Sequence, residues 1–229
     1  MAMVLLIIGP SGSGKTTLQD RLVNDKTLEN IVRSVSATTR PPKRGEVHGQ
    51  QYYFIDDETF LEWEAQERFY ETAEYVDARY GTPRKFIDQQ LRQGKDIVAV
   101  VEVKGAQEIV RKFSEKKQKH KVVTVYVYPN EFEDLATRVK TRDLSHLSPE
   151  EQAREEYRIH KRLTTATEEI KLMNSFDYHL CIKHNALDEA YQILYSIVIA
   201  ERAKEKISAD YVHRFLRDYA QYNKSRKKG

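Results

Sequence analysis

Long apolar runs are missing from this chain: no uninterrupted stretch approaches the ~18 residues of a membrane-spanning helix. Cysteine is nearly absent too. Cys181, the one cysteine, excludes an internal disulfide and fits a reducing compartment, which points to the cytoplasm. It stands in the apolar run Leu180-Cys181-Ile182, the setting of a buried thiol rather than a reactive one. Neither sign of charge dominates, with 38 Lys and Arg against 35 Asp and Glu, so bulk charge does not mark a polyanion binder. The sequence points away from nucleic acid and membrane as partners. Repeats and low-complexity linkers are also lacking, and 229 residues read as one α/β domain with insertions. The apolar start, Met3 to Ile8, lacks the basic segment of a signal peptide and leads straight into a glycine-rich loop, so it reads as a buried strand.

That loop, Gly9 to Thr16 (GPSGSGKT), fits the pattern G-x-x-x-x-G-K-[ST]. Gly9, Gly12 and Gly14 let the backbone curl so that successive N–H groups face one anion. Lys15 brings a point charge to the β- and γ-phosphates, and the Thr16 hydroxyl can hold Mg²⁺. A helix predicted from Thr17 to Asn24 turns its positive end toward the phosphates. Strand, loop and helix arrive in the required order, which predicts binding of a nucleoside triphosphate. Gly9, Ser11, Gly12, Ser13, Gly14, Lys15, Thr16 and Thr17 are the candidate contacts.

Further strands are expected at Ile31–Ser36, Ile97–Val103, Val122–Val127 and Tyr178–Ile182. Helices are expected at Pro83–Gln93, Gly105–Lys116, Glu131–Lys140, Pro149–Met173 and Leu187–Ala203. This alternation predicts a parallel sheet flanked by helices. About sixty residues before Ile97 hold short aromatic-rich segments and a helix near Glu58–Gln66, too long a stretch for a structureless loop, and they read as an inserted mixed α/β lobe. Ser148-Pro149-Glu150-Glu151 is a helix start with a Ser cap, and Thr82-Pro83 reads as another. Thr82 is therefore open to either capping or binding.

The inserted lobe carries SVSATTRPPKRGEVHGQQYYFID, Ser34 to Asp56. Here the sequence resembles the guanylate kinases, P-loop enzymes that move a phosphoryl group from ATP to GMP. Ser36, Thr38, Thr39, Arg40, Pro42, Gly45, Glu46, Gly49, Tyr52 and Phe54 fall in register with S-x-S-x-T-T-R-x-P-R-x-G-E-x-x-G-x-x-Y-x-F. Phe69-Tyr70-Glu71-Thr72-Ala73 matches F-x-E-x-A, Tyr80-Gly81-Thr82 matches Y-G-[ST], and the likeness runs to about Ala200. Residue chemistry agrees. Arg40, with Lys43 or Arg44, offers cationic donors to a phosphate, and Tyr52 and Tyr80 add neutral hydroxyls. A carboxylate facing the N1 and N2 donors of guanine selects against adenine. The resemblance implies that Glu71 is that carboxylate and that Ser36 and Thr82 bond the base. Glu46 reads as structural.

The family's D-x-D-x-x-G is altered: Val100 replaces the first Asp and Glu102 the second, and Lys43 replaces an Arg. Valine can neither accept a hydrogen bond nor hold a metal shell, whereas Glu102 is one methylene longer than Asp and is expected to reach the acceptor. Leu135 to Arg142 is similar to the family's lid entry L-x-x-R-L-x-x-R, and His160-Lys161-Arg162-Leu163 to its exit. The resemblance implies Arg138 near adenine, with Arg142 and Arg162 joining Lys15 as catalytic cations. Arg154 and Arg158 share a helical face with Arg162 and also fit a solvated face.

The expected layout is a P-loop core of residues 1–33, 95–137 and 163–202, a GMP-binding lobe of 34–94, a lid of 138–162 and a tail of 203–229. The tail carries +5 against −2 for the remainder. Its stripe Ile207, Tyr211, Phe215, Tyr219 and Tyr222 fits docking on the core or on a second copy, giving a homodimer. The reading is Mg²⁺-dependent phosphorylation of GMP and dGMP by ATP. Two alternatives stand beside it, a related kinase with another acceptor and a non-catalytic guanylate-kinase-like binding module.

Overall fold

The computed structural model describes residues 2–43, 45–75, 77–115, 120–140, 148–184, 186–204 and 213–219. They form two compact units, Met1–Ser196 and Ile197–Gly229. The first is built on two sheets. The larger has five parallel strands in the order β2-β7-β1-β8-β9: β1 (Met3–Ile8), β2 (Ile31–Arg33), β7 (Asp96–Val100), β8 (Lys121–Pro129) and β9 (Tyr178–Ile182). The central strand, β1, is apolar at every position because both faces are covered, and its six residues are at most 1% exposed. Val4, Leu6 and Ile8 point to one side, into a cluster with Tyr70, Ile97 and Phe113. Covering helices are α1 (Lys15–Asn24), which buries Leu18 and Leu22, α3 (Arg84–Arg92), and α4 (Val103–Glu115).

The smaller sheet has the order β4-β3-β6-β5, from β3 (Ser36–Thr38), β4 (Tyr52–Phe54), β5 (Phe69–Tyr75) and β6 (Ala78–Pro83). Its one parallel pair is β3 with β4, and the other pairs are antiparallel. Beside it lies α2 (Asp57–Ala65), whose first turn is capped by Asp56 accepting from Thr59 N at 2.7 Å. Phe60, Phe69 and Ala37 form the small core of this sheet.

Two helices complete the cleft wall. On α5 (Phe132–Lys140), Leu135 and Val139 pack with Ile159 and Ala166 of α6 (Pro149–Glu169). The predicted start of α6 holds as a capping box, with Ser148 Oγ accepting from Glu151 N and Glu151 Oε2 from Ser148 N. Ser148→Ala removes one of the two bonds and is expected to lower the thermal midpoint by about 2–4 °C, read by circular dichroism. The helix ends earlier than its pattern predicts: Ile170–Ser175 tighten into a 3-10 helix. The other cap expected from sequence is not made. Pro83, not Thr82, stands at the N-cap of α3, with no side-chain capping bond, because Thr82 belongs to β6.

The last long helix is α7 (Leu187–Ala203). In the second unit residues 213–219 are helical and expose Phe215, Leu216 and Tyr219. Of the predicted tail stripe, Ile207, Tyr211 and Tyr222 lie outside the described residues. Among the described residues no helix is long and apolar enough to cross a membrane.

Candidate active site

A cleft of about 620 Å³ opens at the carboxyl ends of β1 and β7 and is closed on its far side by the small sheet. The loop after β1 forms one wall. Gly9 has φ 135°, and a Cβ there would lie 2.0 Å from Val127 O, so only glycine lets the chain turn beside β8. Gly14 stands at the N-cap of α1 in the left-handed region. Unlike α2 and α6, α1 has no capping side chain, and no acid lies in its first turn. Its leading N–H groups therefore face the cleft with the positive end of the helix dipole. Ser11, Gly12, Thr16 and Thr17 line the same wall.

Lys15 is folded back on the loop. Its Nζ donates to Gly9 O at 2.5 Å and to Pro10 O at 2.8 Å. Burial pushes its pKa down, opposed by the carboxylates of Glu102 and Glu169. Glu102 lines the cleft, and Glu169, at the end of α6, hydrogen-bonds it. Burial first, and then the Glu102 charge, push the Glu169 carboxyl up, with Lys15 opposing. Ser13 does not line the cleft. It is wholly buried, and its hydroxyl has no partner among the described residues.

The opposite wall comes from the small sheet. Arg40 donates a fork to Glu46, Nη1 to Oε2 at 2.6 Å and Nη2 to Oε1 at 2.7 Å, and its guanidinium lies 4.9 Å from the centre of the Tyr52 ring. Glu46 also accepts from Lys43 N at 2.7 Å. The fork to Arg40, more than these other contacts, holds the Glu46 carboxyl down at about 2 and pushes Arg40 up. Glu46, read from sequence as structural, thus orients the guanidinium. Tyr52 and Tyr80 meet edge to face at 5.9 Å, and both line the cleft beside Arg40 and Lys43. Ser36 lines it too.

Glu71 reaches the cleft from a break in β5. The register of β5 against β6 shifts between Phe69 and Thr72. Tyr70 and Glu71, which would point to opposite faces of a regular strand, are both buried, at 1% and 6% exposure. Thr82 is wholly buried and donates its hydroxyl to Glu71 Oε1 at 2.5 Å, so it reaches the cleft through that carboxylate. Burial pushes Glu71 up to about 7, against the Thr82 bond; Glu102 and Glu108 also raise it and Lys112 lowers it.

Arg138 of α5 and Arg162 of α6 line the third side, and Arg162 Nε is buried with no hydrogen-bond partner among the described residues. Arg154 is exposed, and Arg158 pairs with Glu155 at 3.5 Å, the solvated face that the sequence also allowed. Arg44 and Arg142 lie outside the described residues. Sequence reasoning missed Arg33, a cleft residue that pairs with Asp20 of α1, and Gln19, whose Nε2 donates to Val98 O at 2.9 Å. Their signal, polar residues interrupting apolar elements, is too common to single them out. Sequence reasoning also placed Cys181 as buried, yet it is half-exposed, because strand alternation puts it with exposed His179 on the face opposite buried Leu180 and Ile182.

Residues 1–201 match the guanylate kinase family model. The chain belongs to the guanylate kinase family. Among similar proteins is a guanylate kinase of Syntrophomonas wolfei, 35% identical over 204 residues, which are 89% of this chain and 95% of that protein. One from Thermotoga maritima is 35% identical over 212 residues, 93% of each chain. Among solved structures, the crystal structure of guanylate kinase from Anaplasma phagocytophilum aligns with TM-score 0.63 at 28% identity, covering 89% of this chain and 87% of that one. The family match ends at residue 201, so the +5 tail lies beyond it.

Proposed function

We propose that this enzyme transfers the γ-phosphoryl group of ATP directly to the phosphate of GMP or dGMP, giving ADP and GDP or dGDP. The observation that carries the reading is the facing of two unlike walls across one cleft. One is an uncapped helix N-terminus with Lys15; the other is a fork-held Arg40 with two tyrosines and a buried carboxylate. The first suits a triphosphate, the second a nucleoside monophosphate. An acceptor phosphate with its second pKa near ~6 is mostly dianionic at neutral pH, so its oxygen attacks without a general base. As the new P–O bond forms and the bond to the β-phosphate breaks, Lys15, Arg142 and Arg162 offset the negative charge. Lys15 exchanges its two loop carbonyls for phosphate oxygens.

Mg²⁺ fits this site as an ion brought by the nucleotide. Thr16 offers an exposed hydroxyl in the cleft, Glu102 a carboxylate, and the described residues contain no group of three His, Cys, Asp or Glu that would cage a metal. Such sparse oxygen donors suit an ion that keeps several waters. When bound, it neutralises phosphate charge. Val100, half-buried in the cleft, adds no oxygen, which leaves Glu102 as the acid on that strand end.

On this reading residues 1–33, 95–137 and 163–202 form the P-loop core, 34–94 grip GMP, and 138–162 are the lid carrying Arg138, Arg142 and Arg162. Closure excludes water as a competing acceptor. A cytoplasmic location is supported by the single cysteine, which fits a reducing compartment, and the tail is the segment for association with a second copy. Releasing Arg40 by Glu46→Gln is expected to raise KM for GMP about tenfold while leaving KM for ATP unchanged, in steady-state assays.

The deciding experiment is ADP release from ATP and Mg²⁺ with GMP, dGMP, AMP, CMP and UMP in parallel. Turnover is expected with GMP and dGMP alone. Preference for another acceptor, or GMP binding without turnover, overturns the proposal.

A further inference from the structure

Glycine is a poor helix former, so one inside a helix asks for a reason. Gly105 sits in the first turns of α4, which the Ala106 N to Glu102 O bond of 2.9 Å helps to close. It is not among the residues with positive φ, so the backbone does not demand glycine. Space does. A Cβ on Gly105 would lie 2.7 Å from Glu71 Oε2, 3.0 Å from its Cδ and 3.2 Å from its Cγ. All three nearest atoms belong to one side chain.

That side chain has one way to retreat. Its other oxygen, Oε1, takes the Thr82 hydroxyl at 2.5 Å, and Glu71 and Thr82 are 6% and 0% exposed. The carbonyl of neighbouring Tyr70 accepts from Lys112 Nζ of α4 at 2.6 Å, which fastens β5 to the same helix. A methyl group at 105 would leave the carboxylate one direction, outward into the cleft where the base is to sit.

We infer that Gly105 is a positioning residue for base selection, the missing side chain that lets the Glu71 carboxylate seat on Thr82 and face the acceptor. The inference rests on the proposed guanine reading and deepens it. Helix α4 therefore takes part in specificity through an absent atom. The Thr82 hydroxyl of β6 holds one oxygen of the carboxylate, and the bare Cα of Gly105 on α4 leaves room for the other. The acceptor class it serves is a purine monophosphate with ring N–H and exocyclic amino donors.

The test is Gly105→Ala, assayed with GMP and with IMP, which lacks the exocyclic amino group. KM for GMP is expected to rise about tenfold or more, and the preference for GMP over IMP to narrow by a similar factor. KM for ATP is expected to stay within about twofold, because the P-loop is untouched. A merely structural cost would lower the active fraction equally for both acceptors and leave their ratio fixed. An unchanged ratio in Gly105→Ala, beside a wild type that prefers GMP, overturns the inference alone. A wild type without that preference overturns the reading beneath it.

Should Gly105→Ala fold poorly, Glu71→Ala removes all three crowding atoms. In that background alanine at 105 is expected to melt no lower than glycine, as the better helix former. A melting penalty that persists there places the crowding elsewhere and overturns the inference.

Discussion

Replacing Lys15 with methionine is expected to cut turnover by roughly 10²- to 10³-fold, the scale of losing one preorganised charge donor. The loss should fall on kcat, since Lys15 would grip the transferred group most strongly as charge moves onto the leaving oxygen. The fold should survive. Two effects on stability oppose each other. Burial pushes the Lys15 pKa down, so its charge is a cost to the folded state that methionine does not carry. Against this, Gly9 O and Pro10 O, which belong to two buried residues, lose their donor. The net change in melting midpoint is expected within about 4 °C. A coupled ADP assay beside a thermal melt checks both halves. Retained turnover, or a loss matched by unfolding, sinks the role given to Lys15.

Glu71→Gln should have the next largest effect, and it carries a pH signature. The carboxyl is pushed from its ordinary 4.5 up to about 7, chiefly by burial, against the Thr82 bond. Glu102 and Glu108 add to the rise, and Lys112 lowers it. A folded pKa above the unfolded one means the folded state holds the proton longer. Stability contributed by this group is therefore full below about 4.5, declines as pH rises to about 7, and is level above. Glutamine removes that decline, a gain of at most about 3 kcal/mol at pH 8.

Function moves the other way. Accepting hydrogen bonds from the guanine N–H groups requires the ionised form. GMP binding should strengthen about tenfold between pH 6 and pH 8. In Glu71→Gln that step should vanish, leaving only the shallower one from the GMP phosphate near ~6. KM for GMP should rise about a hundredfold, and discrimination against AMP should shrink. Titration calorimetry of GMP across this range reads the step directly. An identical pH profile in both proteins would remove Glu71 from base recognition.

These expectations draw on two kinds of information. The triphosphate wall was legible in the chain itself because its parts are contiguous. Six apolar residues, a glycine loop and a helix start fix strand, turn and dipole locally, and Lys15 follows by spacing. The order of strands and helices likewise foretold the parallel sheet, since strands covered on both faces read as unbroken apolar runs. Even the capping box at Ser148 is a local pattern.

The acceptor wall was legible only as types of residue. Arg40, Tyr52 and Glu71 could be named, but not what each one touches, because those contacts join segments far apart in the chain. Thr82 read as a helix cap or a base contact; β6 claims its backbone, so it caps nothing, and its hydroxyl donates to Glu71. Glu46 read as structural until its fork on Arg40 showed what it holds. The bulge that turns Glu71 inward is a register shift between two strands, and a register belongs to neither strand alone. Gly105 shows the limit most plainly. Its spacing was visible in the sequence, whereas its reason, an oxygen 2.7 Å from a side chain it does not have, exists only once β5 lies against α4.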